Sequence, residues 1–162
     1  MNIFVLDKNP ITAAQMLCDC HLRKMCVETA QILSGVMLRR GIVLCEGMPK
    51  PQNINHPVIV AAASSEEAIN WTCFYFYSIL REFHIRFKKR HKYFTIFPLY
   101  LDALVGIDLS DDHSNLAKCC GDLDVSGLDI VSAYRKYYTE VKKLALQAKG
   151  LWQFTYRKDW TE

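Results

Sequence analysis

From Ile11 to Arg40 no proline interrupts the chain, and Ile11, Ala14, Cys18, Leu22, Met25, Thr29, Ile32 and Val36 recur at steps of three or four residues. An α-helix turns once in about 3.6 residues, so these side chains form one buried stripe and predict a long amphipathic helix over 11–40. Asp7, Lys8, Asn9 and Pro10 form a turn with a helix-start proline in front of it. Gly41 follows Arg39 and Arg40, whose charges suit the helix C-terminus. Gly35 marks a weak point inside the run.

Asn2–Leu6 reads as a short strand or extended arm ahead of this helix, and residues 41–57, with Gly47, Pro49, Pro51, Asn53 and Asn55, read as a polar connector. Ser64 and Ser65 before Glu66 and Glu67 announce a second long helix reaching His91, with Ile69, Phe76, Leu80, Phe83 and Phe87 on its apolar face. A third helix starts at Ser126 or Asp129 and runs to Lys149, with Gly150 ending it. The apolar stretch 94–105 and the acidic region 109–124 carry no decisive period, and an aromatic and basic tail, LWQFTYRKDW, follows the third helix. The fold class expected is mainly α: one compact domain spanning 1–162, three long helices with a short N-terminal arm and irregular connectors.

With 51% hydrophobic residues, 23% charged and 12% aromatic, the chain is neither disordered nor of low complexity. Its net charge of +3 is too small to identify a nucleic-acid protein by itself, so the placement of the charges decides. Seven cysteines, an odd set without a preceding signal peptide, point to reduced thiols and a cytoplasmic protein, in a host cell if the chain is viral. The longest apolar runs are too short to span a bilayer, so no membrane partner is expected.

Three groupings could carry chemistry. His21, Lys24 and Glu28 stand at i, i+3 and i+7 and project from one flank of the first helix, offering an imidazole, an amine and a carboxylate. The same spacing also suits ordinary pairing on a solvated helix. REFHIRFKKRHKY alternates cations with rings, and Tyr134, Arg135, Lys136, Tyr137, Tyr138 and Lys142 do so again on the third helix; both could hold phosphates and stack bases, or be plain surface. Asp111, Asp112, His113, Cys119, Cys120, Asp122 and Asp124 could hold an ion, but an acidic loop is the plainer reading, and neither metal nor cofactor is expected. Walker, GxGxxG and serine-hydrolase motifs are absent.

The opening MNIFVLDKNPITAAQMLCDCHLRKMCVETAQIL resembles a family of small proteins from phages and large DNA viruses that read MNIFVLD, P, AAQ, CDKH, K, LE and AQLL in that order. The likeness continues through Asn55-His56-Pro57, Asn70-Trp71, Glu82, Arg86, His91 and the AYRKYY of residues 133–138. The chain departs from that pattern at Cys20, where the family has lysine, and in VAAASS, where relatives carry a tryptophan and an arginine. More distantly the layout is similar to the phage pyrimidine-dimer DNA glycosylase, also called endonuclease V. That resemblance implies an amine that attacks a sugar to form a Schiff base, helped by a first-helix glutamate and arginine. By analogy the amine is the chain terminus or Lys24, Glu28 manages protons, and Arg23 lies nearby. Asn2 is larger than the residues that normally permit removal of Met1, which favours Lys24.

The expectation is a viral DNA base-processing enzyme, a glycosylase with possible lyase activity, in which Lys24 attacks, Glu28 transfers protons, His21 orients or donates and Arg23 assists. Glu82, Arg86, Lys88, Lys89, Arg90, His91, Tyr134, Arg135 and Tyr138 would contact DNA or a nucleotide. The alternative is a non-catalytic binder that sequesters a nucleotide or nucleic acid, for instance to counter host defence.

Overall fold

The computed structural model describes residues 1–105 and 111–161. It is mainly α-helical, with no strand among the described residues. Helix α1 spans Pro10–Gln15, α2 Asp19–Arg39, α3 Pro57–Ala62, α4 Glu66–Phe87 and α5 Phe97–Leu104; α6, Ile130–Tyr137, continues through a π-helical segment, Tyr138–Lys143, into α7, Leu144–Gln147. The two long helices pack antiparallel: Arg40 at the end of α2 meets Glu66 at the start of α4 at 2.5 Å, and Arg86 at the end of α4 meets Asp19 at the start of α2 at 3.0 Å.

The helix expected over 11–40 is two helices, broken at 16–18. Periodicity continues across the break because Leu17 and Cys18 are still buried, but other groups hold the main chain there. Arg86 donates to the carbonyls of Gln15 at 2.7 Å and Leu17 at 2.6 Å, Trp160 Nε1 donates to Met16 O at 2.7 Å, and the Asp19 amide donates to Gln153 O at 2.8 Å. A continuous helix would have used those groups internally. The end of α2 is as read: Gly41, at φ 74°, and Ile42 send their amides back to Leu38 and Met37, closing the last turn. Gly35 has a packing reason, since a Cβ there would lie 2.6 Å from Ile59 Cδ1 of α3.

Ser65 caps α4, accepting from the Ala68 amide at 3.2 Å, but the helix stops at Phe87, short of His91. Lys88 turns left-handed, φ 53°, and His91 instead caps the short turn Lys92–Phe94 by accepting from the Tyr93 amide. Asp129 caps α6 as one of the two expected residues. The third helix widens in the middle, where the Thr139 hydroxyl bonds the Arg135 carbonyl at 3.0 Å in competition with the main chain. The stretch 94–105 contains α5, and α3 rises from the apolar residues after Pro57. In the acidic region, Leu109 and Ser110 lie outside the described residues.

The arm is irregular and buried: Ile3, Phe4, Val5 and Leu6 are all in the core, and the Leu6 amide turns back to Phe4 O at 2.9 Å. With no partner strand its polar groups are met by side chains, Leu6 O accepting from Arg135 Nε at 2.7 Å and Lys8 O from Trp71 Nε1 at 2.7 Å. At the α1–α2 break a four-charge group, three of its members buried, closes the fold. Arg86 pairs with Asp19 and, at 2.7 Å, with Glu82; Glu82 takes two bonds at 2.8 Å from Arg157 of the tail, and Asp19 accepts from Thr155. Burial alone would raise the Glu82 pKa, but hydrogen bonds from Arg157 and Arg86 outweigh it and hold the carboxyl below its usual value. Glu82 and Arg86, expected at a DNA surface, are therefore structural.

Replacing Arg86 by Met leaves two buried carboxylates short of a partner and should cost about 3–5 kcal/mol in denaturant unfolding at neutral pH. A destabilisation under about 1 kcal/mol would show that the junction does not depend on this group.

Candidate active site

Helix α2 presents Lys24 and Glu28 one turn apart, and Lys24 Nζ lies 3.3 Å from Glu28 Oε1. The Glu28 side chain is 12% exposed and that of Lys24 59%, so the carboxylate is withdrawn while the amine reaches solvent. The start of the arm closes over the same carboxylate: the Asn2 amide donates to Glu28 Oε2 at 3.0 Å, and the Met1 nitrogen is 3.9 Å from Oε1. Asn2 is pinned on its other side. Its Nδ2 donates to Cys119 O at 2.9 Å, and its Oδ1 accepts from the Ile3 amide and faces the Tyr134 hydroxyl, both at 2.8 Å. Tyr134, expected to face a ligand, is buried and anchors the arm.

Two residues outside the expected set lie within electrostatic reach of this group. His56 caps α3, its Nδ1 accepting from the Val58 amide at 3.3 Å, so the neutral ring carries its proton on Nε2. Burial lowers its pKa, the charge on the Met1 nitrogen lowers it further, and Glu28 opposes both. Burial raises the Cys119 thiol, and the charge at Met1 pulls it back. The Asn-His-Pro triplet was a visible signal for His56; Cys119 stood in the acidic segment without one that pointed here.

His21 does not join Lys24 and Glu28. It leaves α2 in nearly the direction of Glu28, but Phe4 and Tyr138 cover it, with ring centroids 4.8 and 5.2 Å away. Tyr138 accepts from the Cys18 amide and lies 2.9 Å from His21 Nδ1. Burial, then Lys142 and Lys24, lower the His21 pKa to about 4, so the ring is neutral and structural. Arg23 stands about 140° around α2 from Glu28, at ~100° per residue, with its guanidinium 4.2 Å from the Phe87 ring.

No family model, curated protein or solved structure matches the chain.

Of the expected binding residues, Lys88, Lys89 and Arg90 are exposed at the end of α4. Lys88 Nζ lies 4.9 Å from the Tyr156 ring and the Arg90 guanidinium 4.4 Å from the Phe94 ring. His91 is half-buried, edge-on to Phe83 and Tyr93. Arg135 is held against the arm by Leu6 O and, at 2.9 Å, by Asp7; Tyr138 is fully buried. Tyr134, Arg135 and Tyr138 of the third helix thus serve the arm and the core, while Lys136 donates to Asp124 O and Lys142 lies 4.8 Å from the Tyr137 ring. Among the described residues no three His, Cys, Asp or Glu side chains form a group that could hold a metal ion, and no helix is long and apolar enough to cross a membrane.

The burial of His21 has a pH consequence. The unfolded ring takes a proton near 6.5 and the folded one only near 4, so stability falls as pH drops through that window, by about 3 kcal/mol at most. His21→Gln, which offers Tyr138 a non-titrating acceptor, should flatten the melting temperature between pH 6.5 and 4; parallel curves for the two proteins would contradict this.

Proposed function

We propose that this chain is a DNA base-processing enzyme, a glycosylase with a Schiff-base lyase step, and that Lys24 is its nucleophile. The observation that carries the reading is the contact of the Lys24 amine with a carboxylate that is mostly shielded from water and fixed from behind by the Asn2 amide. An amine and a carboxylate in contact can exchange a proton, which a nucleophilic amine must lose before it attacks and which the departing base or ring oxygen must gain. The Nζ lone pair attacks C1′ of the sugar, the glycosidic electron pair leaves with the base, and opening of the ring gives an imine between Nζ and C1′. Glu28 takes the ammonium proton and gives it to the departing base, then takes a second from the attached nitrogen and gives it to the sugar oxygen as the ring opens, leaving a protonated imine. Lys88, Lys89 and Arg90 supply phosphate contacts, and the target nucleotide is turned out of the helix to reach Lys24.

A second reading is a binder without chemistry, supported by the cations seated over the rings of Phe87, Phe94 and Tyr156. Borohydride trapping on a duplex with one abasic site, and on one with a thymine dimer, separates the two. The enzyme gives a covalent adduct that maps to Lys24 and disappears in Lys24→Ala, while Glu28→Gln slows its formation about 10²–10⁴-fold. Tight binding with no adduct on either duplex would leave the binder. An adduct on the Met1 nitrogen would keep the reaction and remove Lys24 from it.

The grip is tested separately. Changing Lys88, Lys89 and Arg90 together to Ala should lower the slope of log affinity against log salt by about 0.9 for each phosphate that these side chains neutralise. An unchanged slope would take the end of α4 out of the interface.

A further inference from the structure

Between α1 and α5, helix α4 leaves one stripe uncovered. Phe74, Tyr77, Arg81 and Ile85 follow one another at steps of three and four, with Ile11 of α1 alongside. Tyr77 is 37% exposed, Ile85 38% and Ile11 52%. Tyr77 stands between two hollows, one of about 90 Å³ toward α1 and one of about 340 Å³ toward α5, where Phe74, Phe97 and Leu101 complete the lining. Its ring stacks on Phe97 with centroids 5.2 Å apart and planes 26° from parallel. The Arg81 guanidinium lies 5.7 Å from the Tyr77 ring, and Phe94, 6.5 Å from Tyr77, carries Arg90 at 4.4 Å.

The charge on this side is mostly positive. Arg81, Lys88, Lys89, Arg90 and Lys92 are exposed, whereas the acids of residues 74–105 are Glu82, neutralised inside the fold, and Asp102. A second copy of the chain would bring the same cations against these and be repelled. A ligand that suits alternating rings and guanidinium groups offers flat apolar faces along a polyanion. Paired bases keep those faces hidden inside the duplex, and unpaired ones do not.

We infer that the outer stripe of α4, centred on Tyr77 and Arg81, is a binding face for single-stranded nucleic acid, with unpaired bases stacking at Tyr77 and phosphates meeting the cations. It is a different place from the Lys24–Glu28 contact. Asp19 of α2 points at Arg86 of α4, and Glu28, nine residues later, leaves α2 about 180° away. The two readings share Lys88, Lys89 and Arg90 as phosphate contacts and are told apart by Tyr77 and Arg81, which the catalytic reading does not use.

The test is fluorescence anisotropy with labelled twelve-nucleotide strands of dT and of rU, a lesion-free duplex of that length, and a base-free abasic strand of equal charge. Both base-bearing single strands should bind at least tenfold tighter than the duplex and the abasic strand; a preference between them identifies DNA or RNA as the natural form. Tyr77→Ala should weaken binding about five- to a hundredfold while Tyr77→Phe keeps it, and Arg81→Gln should weaken it and lower the salt slope by about 0.7. Should Tyr77→Ala lose its helical circular dichroism, Arg81→Gln and the abasic strand carry the test. Equal binding of the abasic strand, an unaffected Tyr77→Ala, or self-association of the chain abolished by Tyr77→Glu would overturn the proposal, the last by showing that a protein surface covers the stripe.

Discussion

The structure depends on the buried guanidinium of Arg86. Its donors reach two carboxylates and two main-chain carbonyls, so the charge is neutralised and the junction between α1 and α2 is satisfied by one side chain. Desolvating an ion is costly, and the arrangement is tolerable because Glu82, Asp19, Arg86 and Arg157 sum to zero and bond to one another and to Thr155. Such a group adds specificity more than stability: the chain can bend at 16–18 only where α4 and the tail present the right partners. The break in turn lets α1 lie on α4 and places α2 antiparallel to α4.

From that placement follows the geometry at Glu28. With one side of α2 spent on α4, its far side faces the arm, and a buried non-helical segment needs partners for its main chain. Glu28 is one of them, at the Asn2 amide. The carboxylate thus has a structural duty and a chemical opportunity at once, and Lys24, one turn earlier and still in solvent, completes the pair. The hydrophobic run of the arm keeps this arrangement rigid, since Ile3 to Leu6 are sealed into the core on all sides.

The helical class was legible in the sequence, as were its punctuation marks: Ser65 and Asp129 as caps, Gly41 and Gly150 as stops. These are local effects, set by a side chain and the few residues beside it. The α1–α2 break was hidden because its cause lies far along the chain, at Arg86, Gln153 and Trp160. Lys24 and Glu28 were legible as an i, i+4 pair. His21 shares their spacing, yet periodicity gives only the direction in which a side chain leaves its helix and not what packs there; Phe4 and Tyr138 decide that. Glu82 and Arg86 looked like surface charge for the same reason, and Tyr134 and Tyr138 like stacking rings, because a charged or aromatic run reads alike whether its partners are solvent or protein.

The tail has a consequence for how the molecule is made. Trp160 meets the Met16 carbonyl across 144 positions, and Thr155 meets Asp19 across 136. At a synthesis rate of about 5–20 residues per second, the bend after α1 waits on the order of ten seconds for the groups that complete it. During that interval Asp19, Glu82 and Arg86 lack their last companions, and the rings of Phe4 and Tyr138 lack their cover. Until residues 152–160 are in place the junction is unsealed and the Tyr138 ring lacks Trp152 and Trp160, so this segment acts as the closing seam of the whole body.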